Sequence, residues 1–224
     1  DLIPNKEILI FLTEGGYIKR VDPDEFRTQN RGGVGVQGMK TKADDDIKIL
    51  RHSRTKTDVL FFTNFGRVYH CRGYQIQEGN RTSKGIPIVN LLRLLDKEEV
   101  TAIISMNDYS ENTYLFFATK DGIVKRSEAK DFENINVNGK IAISLREGDE
   151  LLDVRVTDGN ALVSLGSSEG KVCTFKENDV RCMGRTATGV KGIDLKEGCH
   201  VVGLVTSIDG NKIFSLSNNG YGKI

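Results

Sequence analysis

The stretch Thr119-Lys120-Asp121-Gly122-Ile123-Val124-Lys125-Arg126, TKDGIVKR, decides the fold because the chain repeats it. A Thr or Ser, a Gly two or three residues later and then an apolar and a basic or polar residue spell a β-hairpin. The glycine supplies the left-handed turn conformation, and the residues beyond it form the returning arm. Related copies are TEGGYIKR from Thr13, TNFGRVYH from Thr63, SSEGKVCT from Ser167 and SNNGYGKI from Ser217. Their anchor glycines, Gly16, Gly66, Gly122, Gly170 and Gly220, are separated by 50, 56, 48 and 50 residues. The chain is therefore built from a repeat of about fifty residues.

A short apolar run rich in β-branched and aromatic residues enters each hairpin, at residues 8–12, 59–62, 114–118, 161–165 and 213–216. A second glycine, Gly35, Gly85, Gly139 or Gly189, follows the anchor by 19, 19, 17 and 19 residues and opens a brief apolar segment. An acidic or glycine-bearing turn and a further apolar strand then close the repeat, at residues 47–50, 100–106, 151–156 and 201–205. These landmarks divide the chain into repeats at 7–57, 58–112, 113–160 and 161–211, with the start of a fifth at 212–224. Each holds about four short strands and no helical periodicity; the nearest thing to a helix, residues 91–99, reads equally as a turn. One such unit cannot bury both faces, so the expected fold is all-β, with propeller-like four-stranded blades forming a single domain over residues 1–224. There is no Trp for a WD repeat and one usable Gly-Gly pair for a kelch pattern. A pair of two-sheet sandwiches is the alternative, and the even spacing favours blades.

Composition is that of an ordinary globular chain of 224 residues, 38% hydrophobic and 28% charged. The formal net charge is only +1, so a polyanionic partner must be recognised by the placement of positive charge, not its total. Cys71, Cys173, Cys182 and Cys199 form no CxxC pair and have no histidine at ligand spacing, which reads as reduced packing thiols of a cytosolic protein with no metal site. His52, His70 and His200 stand in no constellation with a nucleophile, and P-loop, nucleophile-elbow and HExxH signatures are missing, so no catalytic residue is expected. No apolar run is long enough to cross a bilayer and no signal peptide is present. The chain opens without Met and ends inside a strand-like segment, as an excised piece of a longer protein would.

Candidate ligand-binding residues lie in the loops before the second glycines. Residues 27–39, RTQNRGGVGVQGM, combine guanidinium forks with Gly-rich backbone, a chemistry suited to phosphate oxygens. Four residues before the second glycine stand Arg31, Arg81, Ile135 and Arg185, so three repeats share an arginine at one equivalent site. Lys84, Lys140 and Lys191 lie beside that glycine, and Lys19, Arg20, Lys125 and Arg126 follow the hairpin turns, where they read equally as solvated strand ends or phosphate ligands. Gly32, Gly33, Gly35, Gly85, Gly139 and Gly189 would let the backbone approach a duplex, although turns in any propeller need such glycines too. The acidic run Asp44-Asp45-Asp46 is expected away from a DNA path, on an axial face.

The segment Gln29-Asn30-Arg31-Gly32-Gly33-Val34-Gly35 resembles the gyrase A box, which marks the C-terminal domain of the A subunit of bacterial DNA gyrase. VLFFTNFGRVY, TSKGIPIVNLL, LFFATKDGIVKRS, NGKIAISLREGDEL, GRTATGVKGI and NGYGK extend the resemblance over essentially the whole chain. Asn30 and Val34 depart from it, standing where that family usually has Lys or Arg. The resemblance implies a β-pinwheel, a propeller variant with six blades in the family, in which neighbouring blades exchange strands. It further implies wrapping of duplex DNA on a basic rim without strong sequence specificity, which lets gyrase introduce negative supercoils. DNA-binding residues would be Arg27, Gln29, Asn30, Arg31, Gly32, Gly33, Gly35, Arg81, Lys84, Lys140, Arg185 and Lys191. Partners would be double-stranded DNA, the rest of the gyrase A subunit and, through it, the gyrase B subunit, in the bacterial cytoplasm at the nucleoid and away from membranes. The domain itself would carry no cofactor and no activity alone; ATP and Mg2+ would serve other parts of the enzyme. Competing readings are the corresponding domain of topoisomerase IV, a propeller that binds protein partners, and a propeller hydrolase.

Overall fold

The computed structural model describes residues 2–26 and 45–224, and strands account for nearly all of its regular structure. The first repeat contributes β1 (Glu7–Thr13), β2 (Tyr17–Val21) and β3 (Ile47–Arg54), and the second β4 (Asp58–Thr63), β5 (Arg67–Arg72), β6 (Ile86–Pro87) and β7 (Val100–Met106). The third adds β8 (Tyr114–Thr119), β9 (Ile123–Glu128), β10 (Lys140–Ile141) and β11 (Leu151–Thr157). The fourth adds β12 (Leu162–Ser167), β13 (Val172–Lys176), β14 (Val190–Lys191) and β15 (Val201–Thr206), and the last hairpin is β16 (Ser215–Leu216) with β17 (Gly222–Lys223). Residues 91–99 form turns, not a helix.

Four of the five hairpins share one local cause. The carbonyl of Thr13, Thr119, Ser167 or Ser217 accepts from the amide of its anchor glycine at 2.9–3.1 Å. The hydroxyl of the same residue accepts the following amide: Tyr17, Ile123, Lys171 and Tyr221 donate at 3.1, 3.1, 3.2 and 3.2 Å. All five anchor glycines have φ between 72° and 84°, where a Cβ is strained. Thr or Ser, two intervening residues and Gly thus specify the turn from within, and the pairing register shifts beside Thr13, Thr63 and Ser167.

The sheets run β3-β1-β2-β6, β10-β5-β4-β7, β11-β8-β9-β14 and β13-β12-β15, with β16-β17 apart. In the first three the outermost short strand belongs to the next repeat: Tyr17 pairs with Pro87 and Ile18 with Ile86, and likewise Ile123 with Lys191 and Val124 with Val190. Blade and sequence repeat are therefore offset by one strand. Each of these three blades takes three strands from its own repeat and the fourth from its successor, the strand exchange of a β-pinwheel, while β13-β12-β15 has three strands among the described residues.

Chain contacts define two compact units, one of Asp1–Thr63, Arg67–Asp108 and Ile135–Lys140, the other of Asn64–Gly66, Tyr109–Asn134 and Ile141–Ile224. In the first, Ile8, Ile10 and Leu12 pack with Val59, Phe61, Tyr69, Val100 and Ile103, so the core lies between the first two sheets. In the second, Phe116, Ala118 and Val124 pack with Val163, Leu165, Val201 and Leu204. Phe61 and Phe116 are fully buried, each contributing about 2–3 kcal/mol of transfer free energy. These cores fix where each strand-donating loop must cross, and those loops carry the candidate site.

Candidate nucleic-acid interface

In the first unit, the loop at 77–85 lies along β2. Its backbone joins the strand through Arg20 N–H to the Gln77 carbonyl at 3.0 Å and Gly79 N–H to the Arg20 carbonyl at 2.9 Å. Within the loop, the Asn80 side-chain oxygen accepts from the amides of Thr82 and Ser83 at 2.9 and 2.8 Å, an Asx-type turn. Lys19 is only 2% exposed. Its ammonium lies beneath this turn, donating to the carbonyls of Asn80, Arg81 and Ser83 at 2.8, 3.3 and 2.7 Å. Arg20 Nε donates to the Ile76 carbonyl at 2.8 Å, and its guanidinium meets Glu78 at 3.4 Å.

The second unit repeats this arrangement. Lys125, fully buried, donates to the carbonyls of Ala142, Gly184 and Arg185, the last at 2.8 Å. Arg126 Nε donates to the Val180 carbonyl at 3.0 Å, and its guanidinium lies over the Tyr114 ring at 4.8 Å. Three N–H donors meet three carbonyl acceptors in both units, which satisfies an ammonium removed from water. The aromatic face of Phe11 near Lys19, at 5.7 Å, and of Phe117 near Lys125, at 4.7 Å, adds to each site. Burial lowers the pKa of Lys19, with Glu25 opposing. Burial and then Arg185 lower that of Lys125 to about 7. These lysines and arginines are thus neither solvated strand ends nor available phosphate ligands; they hold the next repeat's loop.

The second glycines are structural first. Gly85 and Gly189 adopt φ of 85° and 102°, and a Cβ there would lie 2.5 Å from the Ile18 carbonyl oxygen and 2.3 Å from that of Val124. At Gly139, φ is 75° and a Cβ would strike the Tyr69 ring at 2.7 Å. Each lets the loop close onto the preceding strand. In the third repeat's loop Ile135 takes the place of arginine, and the residue third after the preceding anchor glycine is not lysine. Tyr69 stands at the equivalent position, donating to the buried Glu98 carboxylate at 2.7 Å, while Arg67 donates to the Asn138 carbonyl at 2.8 Å.

Among the candidate ligands, Arg81 and Arg185 are half-buried on these braced loops. The Arg81 amide donates to Glu25 at 2.9 Å, and the Arg185 guanidinium donates to the Ile141 carbonyl at 2.9 Å. Lys84 is exposed, with its ammonium over the Tyr17 ring at 3.7 Å. Lys191 is exposed and pairs with Asp194 at 2.8 Å, a contact water and salt readily compete for. Lys140 is half-buried in β10. Arg27, Gln29, Asn30, Arg31, Gly32, Gly33 and Gly35 lie outside the described residues, as does Asp44. Asp45 accepts from the Gly15 amide at 2.7 Å and so supports the first hairpin turn.

Lys19 and Lys125 escaped the sequence reading as organising residues. Their signal was nonetheless present: lysine is third after the anchor glycine where the following loop carries arginine, and Tyr69 takes that place where it carries Ile135. Among the described residues no group of His, Cys, Asp and Glu could hold a metal ion, and no helix is long and apolar enough to cross a membrane.

Known proteins share this pattern. The family model described as DNA gyrase C-terminal domain, beta-propeller, matches residues 7–51, 57–105, 113–158 and 162–207. The DNA gyrase A subunit of Staphylococcus aureus is 49% identical and that of Ureaplasma parvum 46% identical, each match covering 100% of this chain and 26% of the relative. The chain therefore spans about a quarter of the length of these relatives. A solved DNA gyrase A C-terminal domain superposes with a TM-score of 0.76 at 29% identity, covering 97% of this chain and 70% of that one. The C-terminal domain of a DNA topoisomerase IV superposes at 0.75 and 28%, covering 92% and 62%. With the repeat, the strand exchange and the four matched segments in agreement, this chain belongs to the DNA gyrase C-terminal domain family.

Proposed function

We propose that the chain binds duplex DNA through its arginine-bearing loops, without strong sequence specificity, and wraps it, so that a parent gyrase can introduce negative supercoils. The observation that carries this reading is the repetition of one basic loop, with Arg81 in the first unit and Arg185 in the second, built on the same lysine brace. Repetition suits a phosphate backbone, which presents equivalent charges at regular intervals and demands no base readout. Bending a stiff duplex costs several kcal/mol, which many modest phosphate contacts can offset. Arg31, at the equivalent site of the first repeat, belongs to the same set, with Arg27, Lys84, Lys140 and Lys191 as flanking charges.

In this reading the chain is the C-terminal part of a gyrase A subunit in a bacterial cytoplasm, working at the nucleoid with the rest of that polypeptide and with the gyrase B subunit. It catalyses nothing alone and carries no cofactor; cleavage, ATP hydrolysis and Mg2+ belong to other parts of an ATP-dependent type II topoisomerase. The corresponding domain of topoisomerase IV, supporting relaxation and decatenation, is the second reading, favoured by the comparable superposition on that enzyme's domain. Relatives 46–49% identical over the whole chain support gyrase.

The test combines binding with topology. The chain and an Arg31→Ala, Arg81→Ala, Arg185→Ala variant are titrated against relaxed circular plasmid, with a relaxing topoisomerase present, at two salt concentrations. Salt-sensitive binding and positive writhe that the variant loses are expected. No binding at low salt sinks the DNA reading in favour of a protein partner.

A further inference from the structure

We propose that Lys19 and Lys125 are positioning residues for DNA binding: each buried ammonium clamps the carbonyls of the following repeat's loop and thereby holds its arginine, Arg81 or Arg185, in place for a phosphate. The inference rests on the DNA-binding reading above and adds to it two residues that touch no DNA. Lys19 reaches the carbonyls of Asn80, Arg81 and Ser83, and Lys125 those of Gly184 and Arg185, so each lysine grips the backbone of the arginine itself. Each clamp also stands immediately before a second anchor: Arg20 and Arg126 donate to the carbonyls of Ile76 and Val180, where the loop begins. The glycine at the loop's far end closes onto the same strand, with Gly85 over Ile18 and Gly189 over Val124. The loop is thus pinned at its start, middle and end.

The repeat without an arginine lacks the lysine, and its loop is held from another position, by Arg67, which donates to the Asn138 carbonyl at 2.8 Å. There Tyr69 replaces the lysine, its ring against Gly139, and the loop presents Ile135. Lysine clamp and arginine occur together in two described repeats and are both missing in the third. A lysine serving only stability would have no reason to follow the loop's chemistry. Held rigidly, a guanidinium loses less conformational freedom on meeting a phosphate, which raises affinity without adding a contact.

The experiment is a double-mutant cycle on the whole chain below neutral pH, where Lys125 is charged. It compares Lys125→Met, Arg185→Ala and the pair, and in parallel Lys19→Met, Arg81→Ala and their pair. Affinity for a linear duplex of mixed sequence is measured as a function of salt, and amide hydrogen exchange is followed at residues 80–85 and 184–189. Each methionine variant should weaken binding about five- to tenfold and reduce the log–log salt slope by about one, as loss of one phosphate contact would. It should have no further effect once the arginine is gone, and loop amides should exchange faster. Additive losses would mean that the lysine acts independently of the arginine, and unchanged affinity in a folded variant would leave it a stability role alone; either overturns the proposal. If the arginine variants bind DNA as the wild type does, the DNA-binding reading fails first and this inference with it, whatever the exchange data show. Lys19→Gln and Lys125→Gln, which keep a polar group in the site, enter the same cycle should a methionine variant fail to fold.

Discussion

Gly189 and Gly170 share a left-handed backbone, with φ of 102° and 82°, yet their surroundings differ. A methyl at Gly189 would lie 2.3 Å from the Val124 carbonyl oxygen, whereas nothing lies within 4 Å of one at Gly170. Gly189→Ala should therefore cost about 3 kcal/mol or more in urea unfolding, and Gly170→Ala only the backbone strain of about 1 kcal/mol. Equal costs would mean that the loop does not close on the strand. Lys125 makes a pH-dependent contribution. Its folded-state pKa of about 7 lies below the ordinary 10.5, so between those values the folded chain binds fewer protons than the unfolded one. Its burial penalty is fully present below about pH 7 and fades as pH rises towards 10.5. The difference in unfolding free energy between wild type and Lys125→Met should shift in favour of wild type across that window, on the order of 1 kcal/mol per pH unit. A difference independent of pH would contradict this. Cys71, whose thiol burial and then Asp58 push up to about 12, should be the last of the four thiols to react with a maleimide at neutral pH.

At the scale of elements, strands with periodicity could be read directly. Residues 59–62 and 114–118 reappear in β4 and β8 because β-branched and aromatic runs closed by a Thr-x-x-Gly turn carry their own instructions, and the apolar run 100–106 reappears as β7. The two-residue strands β6, β10 and β14 carry no periodicity, and the repeat landmarks located their start without telling which sheet they join. Single 3-10 turns after the second hairpin arms, such as Ala129–Phe132, likewise left no signal distinct from a plain turn. The third repeat's loop depends on a buried carboxylate: Glu98 accepts from Thr63, Tyr69 and the Leu95 amide at 2.6, 2.7 and 2.8 Å. Removing the phenol in Tyr69→Phe takes one donor from that charge and should cost about 1–3 kcal/mol, read as a lowered midpoint in thermal unfolding. An unchanged midpoint would show that water replaces the donor.

For the whole molecule, net charge of +1 says little about partners, and local placement says more. An interface of roughly ten phosphate contacts gives a log–log salt slope near −9, and the Arg81→Ala, Arg185→Ala double variant should reduce it by about two. A slope unaffected by both substitutions would place the binding surface elsewhere. The all-β class, the fifty-residue repeat, the hairpin turns and the equivalent arginines were determined by the amino-acid sequence alone, since each follows from local chemistry repeated at fixed spacing. Strand exchange was expected from the family resemblance; only the tertiary structure decided which short strand completes which sheet, and that Lys19 and Lys125 lie buried beneath the arginine loops. Both depend on groups 60 or so residues apart, as with Lys19 and Arg81 or Lys125 and Arg185. No local pattern distinguishes a lysine that ends in water from one whose ammonium is met by three distant carbonyls.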